Sequence, residues 1–207
     1  MRLVRPRRPS ALTLCVVLVI GVQLAVRAWV GYAGFFNLDD YVFYTRAAQT
    51  SWHDADLLLT SYNGHLMPAA MMWVWLSTAA SPLGFGTVVT TCLVLQVIVD
   101  VLLWRVLVVL FGSGWQILMP FVVFCCTTLT LPATLWWAAA LNQLPQQIFM
   151  LLVVLAHLAH IRTGRKWYVA LSVLALAFGL AFSEKTLLVV PLVLALTWLF
   201  LVEGTWW

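Results

Sequence analysis

The sequence predicts an all-α bundle of transmembrane helices, and three observations lead to this fold class. Of its 207 residues, 64% are hydrophobic and only 9% are charged, and the mean hydropathy is +1.00. Soluble domains average about 45–50% apolar and about 25% charged residues, so lipid has to be the solvent for most of this chain. The apolar residues also form long runs, and the first run follows the basic segment "MRLVRPRRPS".

Seven apolar runs are the candidate helices, because a helix crosses the hydrocarbon core with about 20 apolar residues. The runs cover residues 11–32, 66–82, 87–111, 115–131, 143–161, 167–183 and 186–202. The breaks between them are the acidic segment 33–65 and the short sequences "SPLGFG", "GSG", "LPAT", "RTGRK" and "SEK". The distribution of basic residues decides how many of the runs cross.

Arginines crowd the first eight positions and hold the N-terminus in the cytoplasm by the positive-inside rule. If all seven runs crossed, the basic segment "RTGRK" would lie outside, against the same rule. It lies inside if the run 66–82 does not cross, and that run is short and contains Pro68 and two tryptophans, which suits the membrane interface. We therefore predict six spans plus one interfacial helix, with seven spans as the alternative.

This topology makes residues 1–207 a single transmembrane domain, with residues 33–82 as an external loop that carries juxtamembrane helices. Three polar clusters then share the outer side: the segment 33–65, the stretch 135–147 and the residues 183–185. A polar site that faces the outer leaflet is the expected result. The Arg-, Ala-, Val-, Leu- and Trp-rich composition is typical of a GC-rich bacterial gene, so the expected compartment is the plasma membrane.

Two adjacent carboxylates, Asp39 and Asp40, lie in the segment "FFNLDDYVFYTRA". One interpretation is helix capping, with Asn37 as the N-cap and both acids favoured by the dipole of the first turn. The other is catalysis, because the flanking aromatic rings lower the local dielectric and raise the pKa of a carboxylate toward that of a general base. The other polar groups expected on the same side favour catalysis.

Three cations are candidates for binding an anion near these acids. His65 precedes a Pro-containing helix in "YNGHLMP" and could present its ring to an anion, or it could be an ordinary surface residue. Lys185 is either one half of a salt bridge with Glu184 at a span end or a point charge for a phosphate. Arg27, near the outer end of the first helix, could pair with the Asp39 region or with a lipid phosphate.

The stretch "LNQLPQQ" is unusually polar for this chain. Its Asn142, Gln143 and Gln146 either satisfy a helix broken around Pro145 or line a sugar pocket. Glu184 is a further candidate contact to the sugar or acceptor.

Asp100 lies near the middle of the run 87–111, where an uncompensated charge costs about 2.5–3.5 kcal/mol. It therefore needs a partner, and Gln96 and Arg105 are the nearest candidates along the chain. An acidic residue inside the membrane is costly, and it is therefore a candidate functional residue. A membrane carrier or channel for a lipid or an ion, with Asp100 and Arg105 as its polar pathway, is thus the main rival hypothesis.

Composition also limits cofactors and partners. The four cysteines lie in apolar runs without the paired spacing of a zinc site, and they are typical of small buried hydrophobes. No cofactor is expected, although a divalent metal is compatible with the chemistry considered below. The net charge of +4 reflects the basic N-terminus and does not indicate a nucleic-acid partner. Membrane lipid is the expected partner, and the sequence does not determine the oligomeric state.

The order of these motifs resembles the membrane glycosyltransferases of the GT-C class, such as protein O-mannosyltransferases, aminoarabinose lipid A transferases and tetratricopeptide-linked mannosyltransferases. "LDDYVFYTRA" resembles the acidic pair at the start of their first external loop, and "NGHLMPAAMMWVWL" resembles the Gly/His/Pro segment that follows. "LPATLWWAAALNQLPQQIFMLLVVLAH" is similar to their second external loop and next span. "LALAFGLAFSEKTLLVVPLVL" is similar to an "SKE…P" stretch, with the acid and the lysine exchanged here.

The resemblance covers about residues 10–200 and implies a polyprenyl-phosphate-sugar donor reached from the outer leaflet, with an acceptor of unknown identity. It implies that Asp39 or Asp40 is the general base, and that Lys185, His65 and Arg27 are the cations available to the donor phosphate. The class usually has several hundred residues, so we expect this chain to be the N-terminal part of a larger GT-C-type module. A truncated, non-catalytic remnant is a further alternative.

Overall fold

The computed structural model describes residues 10–131 and 135–201, and these residues contain helices and turns but no β-strand. The all-helical prediction is therefore confirmed. The helices are α1 (Ala11–Tyr32), α2 (Asp39–Gln49), α3 (Ala55–Leu58), α4 (Pro68–Ala80), α5 (Phe85–Phe111), α6 (Leu118–Cys126), α7 (Trp137–Thr163), α8 (Trp167–Phe182) and α9 (Val189–Leu196). The basic N-terminal segment and residues 202–207 lie outside the described part of the chain.

Three helices are long and apolar enough to cross a membrane, which is consistent with the predicted membrane protein. They are α1 with 22 residues, and α5 and α7 with 27 residues each. At about 1.5 Å per residue these lengths match or exceed a hydrocarbon core of about 30 Å. In the most apolar window of α1 only 17% of the residues are buried within the protein, so most of its surface is available to lipid.

The run 167–183 forms a helix of almost its full length, whereas the runs 115–131 and 186–202 form shorter helices than the sequence predicts. The run 115–131 is broken at Thr127, which is extended and whose hydroxyl accepts a hydrogen bond from the backbone N–H of Leu129. This side chain competes with the helical hydrogen bonds, so α6 ends after nine residues. The run 167–183 ends at the extended Ser183, and a 3-10 turn, Glu184–Leu188, precedes the eight residues of α9.

Contacts between helices establish their relative directions. α1 and α5 are antiparallel, because Tyr32 bonds Thr90 through their hydroxyls and Arg27 bonds Gln96 further along.

α7 runs parallel to α5: Trp137 shares a cluster with Cys92 near the start of α5, and Arg162 donates to the carbonyl of Val109 near its end. α8 returns antiparallel to α7, with Phe182 stacked on Phe149 at a centroid distance of 5.9 Å.

The two ends of the bundle therefore differ in composition. We call the end that holds Tyr32, Phe85, Trp137 and Phe182 the polar end, because α2, α3 and the turns around them lie there. The opposite end, which we call the basic end, carries the exposed segment 162–166 with Arg162, Arg165 and Lys166.

Helix α4 contacts α2, α3, α7 and α8 at the polar end. It has 13 residues, about 20 Å, and Pro68 occupies its first turn, where a missing N–H costs nothing. The indole of Trp75 donates to the carbonyl of Thr50 (3.1 Å), which joins α4 to the end of α2.

An aromatic cluster anchors α2 on α7 beneath the polar end. Phe36 makes edge contacts with Phe85 and Tyr41 and a tilted contact with Trp137, at centroid distances of 5.1, 6.1 and 5.6 Å. Phe43, only 2% exposed, continues the same core. Because aromatic pairs of this kind add to the free energy of burial, they fix the start of α2, and with it the two aspartates, against α7.

Candidate functional site

A cleft of about 190 Å³ opens at the polar end, and we call it the polar cleft. Its walls come from the start of α2, the turn before α4, the start of α7 and the 3-10 turn after α8. The lining residues are Asp39, Phe43, Tyr62, Asn63, His65, Met67, Trp136, Ala138, Ala139, Asn142, Gln143 and Lys185. The structure thus brings together side chains from the three polar segments that the sequence placed on one side of the membrane.

Asp39 is the first residue of α2 and lines the cleft. Its Oδ1 accepts a hydrogen bond from the hydroxyl of Tyr62 at 2.7 Å. The carboxylate also lies at the N-terminus of the helix, where the partial positive charge of the backbone N–H groups favours an anion. Asp39 therefore combines access to the cleft with a hydrogen bond that holds one of its oxygens.

Asp40 has a different role, because its side chain is only 1% exposed. Its Oδ1 accepts from the backbone N–H of Ala138 (2.7 Å) and its Oδ2 from that of Asn37 (2.9 Å). Burial raises the pKa of Asp40, and these two backbone hydrogen bonds partly oppose that shift. Asp40 joins α2 to α7 and satisfies a loop amide, so the geometry does not favour it as the base.

The capping interpretation of the acid pair is thereby half correct. Leu38, not Asn37, flanks the helix, with φ of 24° and no side-chain cap. Asn37 takes part through its backbone instead: its N–H donates to the carboxylate of Asp40. Of the adjacent aspartates, one serves the backbone and the other faces the cleft.

A tight turn, Tyr62–His65, forms one wall of the cleft. Tyr62 and His65 exchange two backbone hydrogen bonds of 3.0 and 2.9 Å. Asn63 and Gly64 between them have φ of 50° and 81°. Positive φ at both central residues is the pattern of a type I′ turn, for which Asn-Gly is the preferred dipeptide.

The turn directs its two ends to different partners. Tyr62 contacts Asp39, and this hydrogen bond raises the pKa of the phenol. His65 Nδ1 lies 2.5 Å from Glu184 Oε1. Burial is the largest single effect on Glu184 and by itself raises its pKa. Hydrogen bonds from the backbone and from His65, together with the charges of His65 and Lys185, outweigh burial, so the pKa of Glu184 is lowered.

Lys185 reaches the cleft from the 3-10 turn Glu184–Leu188. The next residue, Thr186, is fully buried, and its γ-methyl would lie within 2.5 Å of a Cβ atom added at Gly179. This close approach of the turn to α8 fixes the backbone that carries Lys185. The ammonium is the one lysine or arginine charge among the described residues that line the cleft.

Two of the predicted amides also lie in the cleft. Asn142 and Gln143 line it from the second turn of α7, and Asn142 makes a weak contact with the sulfur of Met67 at 3.9 Å. Gln146 is not brought into the cleft: its amide contacts Met150 Sδ on the same helix at 3.6 Å. Glu184 lies at the side of the cleft through its pair with His65.

Arg27 is also not brought into the cleft, contrary to its predicted grouping with His65 and Lys185. It is only 3% exposed and donates to Gln96 Oε1 (3.2 Å) and to the carbonyl oxygen and hydroxyl of Thr130 (3.2 and 2.5 Å). Its charge therefore faces the interior of the bundle.

Asp100 belongs to the same buried group as Arg27. Its Oδ1 accepts from Gln96 (2.8 Å), and with the Gln23 amide oriented for hydrogen bonding, that amide donates to Asp100 Oδ2 (2.7 Å) and accepts from Arg27 (3.3 Å). Arg105 is exposed and makes no hydrogen bond or ion pair with Asp100 in the described residues. The predicted contact with Gln96 is confirmed, and the contact with Arg105 does not form.

Sequence reasoning missed Tyr62, Asn63 and Trp136 as cleft residues. The Asn-Gly dipeptide was a usable signal for Tyr62, because this turn places the flanking residues side by side. Within residues 10–131 and 135–201, no group of three or more His, Cys, Asp or Glu side chains is arranged to hold a metal ion.

Comparison of the chain with known protein families, with curated proteins and with solved structures gave no match.

Proposed function

We propose that this chain is a membrane glycosyltransferase that moves a sugar from a polyprenyl-phosphate donor to a hydroxyl acceptor. The observation that carries the proposal is the polar cleft, in which the carboxylate of Asp39 and the ammonium of Lys185 line one small space at the end of a lipid-exposed bundle. A base and a cation on opposite sides of a reacting sugar are what this chemistry needs. The resemblance of the sequence motifs to the GT-C class supports the same reaction.

The proposed topology has six crossings, with the polar end toward the extracytoplasmic leaflet. Two observations support it. Helices α1 and α8 run toward the polar end while α5 and α7 run away from it, and the basic segment 162–166 lies at the end opposite the cleft. In this proposal α6 and α9 supply the fifth and sixth crossings, each together with the short non-α helical turns next to it. Helix α4, with exposed and buried faces and about 20 Å of length, lies at the outer interface.

In the proposed reaction the acceptor oxygen forms a bond to C1 of the sugar while the bond between C1 and the phosphate oxygen breaks. The electron pair of the breaking bond goes to the lipid phosphate, and the acceptor proton goes to Asp39. A general base of this kind contributes about 10²–10⁴-fold to a rate. Lys185 lies where a cation would stabilise the charge that gathers on the leaving phosphate.

The size of the cleft favours a small headgroup. Pockets for drug-sized ligands have volumes of about 300–1,000 Å³, and the polar cleft has about 190 Å³. One sugar ring suits this space better than an oligosaccharide. Asn142 and Gln143 would bind its hydroxyl groups, since an amide side chain both donates and accepts hydrogen bonds.

A carrier that uses Asp100 and Arg105 is less well supported. The carboxylate of Asp100 is fully buried and its oxygens are occupied by the amides of Gln96 and Gln23. Arg105 is exposed and makes no hydrogen bond or ion pair with this group in the described part of the chain. A buried charge held by hydrogen bonds is expected to fix the packing of α1 against α5 rather than to shuttle an ion.

The test is an assay with proteoliposomes that contain the purified chain and radiolabelled polyprenyl-phosphate hexoses or pentoses. We expect label to move from the lipid to protein, glycolipid or polysaccharide acceptors supplied outside. Proteoliposomes with the Asp39→Asn variant are the control. Movement of intact labelled lipid between leaflets without transfer would support the carrier instead, and neither transfer nor movement with any donor would overturn both.

A further inference from the structure

Tyr62 is the direct hydrogen-bond partner of the carboxylate that lines the polar cleft. Its hydroxyl lies 2.7 Å from Asp39 Oδ1, a normal length for a donor to a carboxylate. The two residues are 23 positions apart, so the contact depends on the fold and not on a shared helix. Within the described residues the second oxygen of Asp39 has no hydrogen-bond partner.

The position of the Tyr62 ring is fixed independently of Asp39. The ring makes an edge contact with the buried Phe43, with a centroid distance of 4.7 Å. The backbone of Tyr62 is held by its two hydrogen bonds with His65. A donor that is fixed from two directions restricts its acceptor, because the Asp39 side chain has to adopt a rotamer that keeps the contact.

We propose that Tyr62 is a positioning residue: it holds one oxygen of the Asp39 carboxylate so that the other faces the space where the acceptor hydroxyl binds. The inference rests on the proposed function of the cleft, for which it names the group that orients the base. Orientation of a catalytic group affects the chemical step more than the binding of the donor. A positioning role therefore predicts an effect on kcat, whereas a contribution to the shape of the cleft predicts an effect on the KM for the donor.

Replacement by phenylalanine, Tyr62→Phe, keeps the ring on Phe43 and removes the hydroxyl. We expect kcat for sugar transfer to fall about tenfold, the effect of losing one hydrogen bond to a charged group, with the KM for the lipid donor unchanged. Tyr41→Phe is the matched control, since Tyr41 is on the same helix as Asp39 and is 51% exposed. Among the described residues its ring makes an edge contact with Phe36, and its hydroxyl has no hydrogen-bond partner there. The control should transfer at the wild-type rate.

A second measurement does not depend on activity. With ¹³C-labelled tyrosine, NMR titration of the purified protein in micelles reports the ionisation of each phenol. We expect the Tyr62 signal to titrate above the ordinary tyrosine range in the wild type, because its hydroxyl donates a hydrogen bond to the Asp39 carboxylate, which raises the pKa of the phenol. In Asp39→Asn it should return toward the ordinary range, and in Asp56→Asn it should not change.

The two experiments separate the two hypotheses. Two results would overturn the positioning role. One is a Tyr62 pKa that is the same in the wild type and in Asp39→Asn, and the other is a Tyr62→Phe variant with the kcat of the wild type. The wild type could instead show no transfer with any donor while the Tyr62 titration still shifts in Asp39→Asn. That result would overturn the glycosyltransferase and leave the contact between Tyr62 and Asp39 established.

Discussion

The imidazole of His65 and the carboxylate of Glu184 lie 2.5 Å apart, although 119 positions separate them in the chain. This contact joins the turn before α4 to the 3-10 turn after α8, and so links two walls of the polar cleft. The next residue, Lys185, supplies the positive charge of the cleft. The pair therefore connects the position of that charge with the turn that holds Tyr62 against Asp39.

The first prediction concerns the pH range in which this pair contributes to stability. Because folding lowers the pKa of Glu184, its contribution to the free energy of unfolding is present above the ordinary glutamate pKa. It is lost as the pH falls through the lowered value. Both side chains are about half exposed, so the coupling should be about 0–1 kcal/mol.

A double-mutant cycle with His65→Ala and Glu184→Gln, followed by thermal unfolding in micelles, measures this coupling. It should be present above the ordinary glutamate pKa and absent once Glu184 is protonated. The matched cycle pairs Glu184→Gln with His53→Ala, a histidine that packs on Trp52. Equal coupling in both cycles would contradict a specific pair.

The second prediction separates catalysis from folding at Asp39. Asp39→Asn keeps the size of the side chain and an oxygen to accept from Tyr62, but it removes the base. We expect transfer to fall at least about 100-fold, the lower range for loss of a general base, with an unchanged unfolding temperature. Asp56→Asn is the control, since Asp56 is exposed and does not line the cleft. Wild-type turnover by Asp39→Asn would remove the base from the mechanism.

The third prediction concerns Asp40, whose substitution should affect stability instead. In Asp40→Asn one side-chain oxygen is replaced by an NH₂ group, so either the Asn37 or the Ala138 N–H loses its acceptor. An unsatisfied buried amide costs about 1–3 kcal/mol. The unfolding temperature should therefore fall, in contrast to Asp39→Asn.

The pH dependence of this cost provides a check. Folding raises the pKa of Asp40, so its contribution to stability is fully present below the ordinary aspartate pKa. It declines as the pH rises through the raised value. The difference in unfolding free energy between wild type and Asp40→Asn should accordingly be larger on the acid side, and a difference that grows toward alkaline pH would contradict this account.

The different roles of the two aspartates could not be predicted from the sequence. Adjacent residues of a helix point in different directions, and which one meets a backbone amide depends on Ala138, which is 98 positions away. The meeting of the three polar segments was predictable, since it followed from the positive-inside rule and the number of crossings. Tertiary contacts were needed to assign a role to each carboxylate.

The location of Arg27 had a usable signal in the sequence. Gln23 and Arg27 lie four residues apart, as do Gln96 and Asp100, so each pair occupies one face of its helix. Polar residues at this spacing in apolar helices favour pairing inside the bundle over contact with a ligand at its end. The early end of α6 was harder to predict, because the threonine hydroxyl that interrupts it also fits a continuous helix.

The fourth prediction tests the charge in the cleft. Lys185→Gln should raise the KM for the polyprenyl-phosphate donor by about 10–100-fold, the range expected when a charged hydrogen bond to a phosphate is lost. Lys185→Arg should retain most of the affinity. Lys166→Gln, at the basic end of the bundle, is the control and should leave the KM unchanged. Equal effects at Lys185 and Lys166 would indicate a general influence of charge on membrane binding.

The fifth prediction concerns the close packing that supports Lys185. A Cβ atom at Gly179 would lie 2.5 Å from the Thr186 γ-methyl and 2.9 Å from Phe149 Cβ. Gly179→Ala should therefore separate α8 from α7 and from the 3-10 turn, and overpacking of this kind costs about 1–3 kcal/mol. The unfolding temperature should fall by about 2–4 °C for each kcal/mol, and donor binding should weaken because Lys185 moves with Thr186.

Gly21 offers a matched control for this substitution, since it lies in the apolar helix α1 with no atom within 4 Å of an added Cβ. Gly21→Ala should change neither the unfolding temperature nor donor binding. Because Thr186→Ser removes the γ-methyl that the new Cβ would meet, the double variant Gly179→Ala/Thr186→Ser should recover part of the lost stability. Failure of that rescue would assign the strain to the contact with Phe149 on α7. The loss of stability would then not be caused by the contact with Thr186, which is next to Lys185.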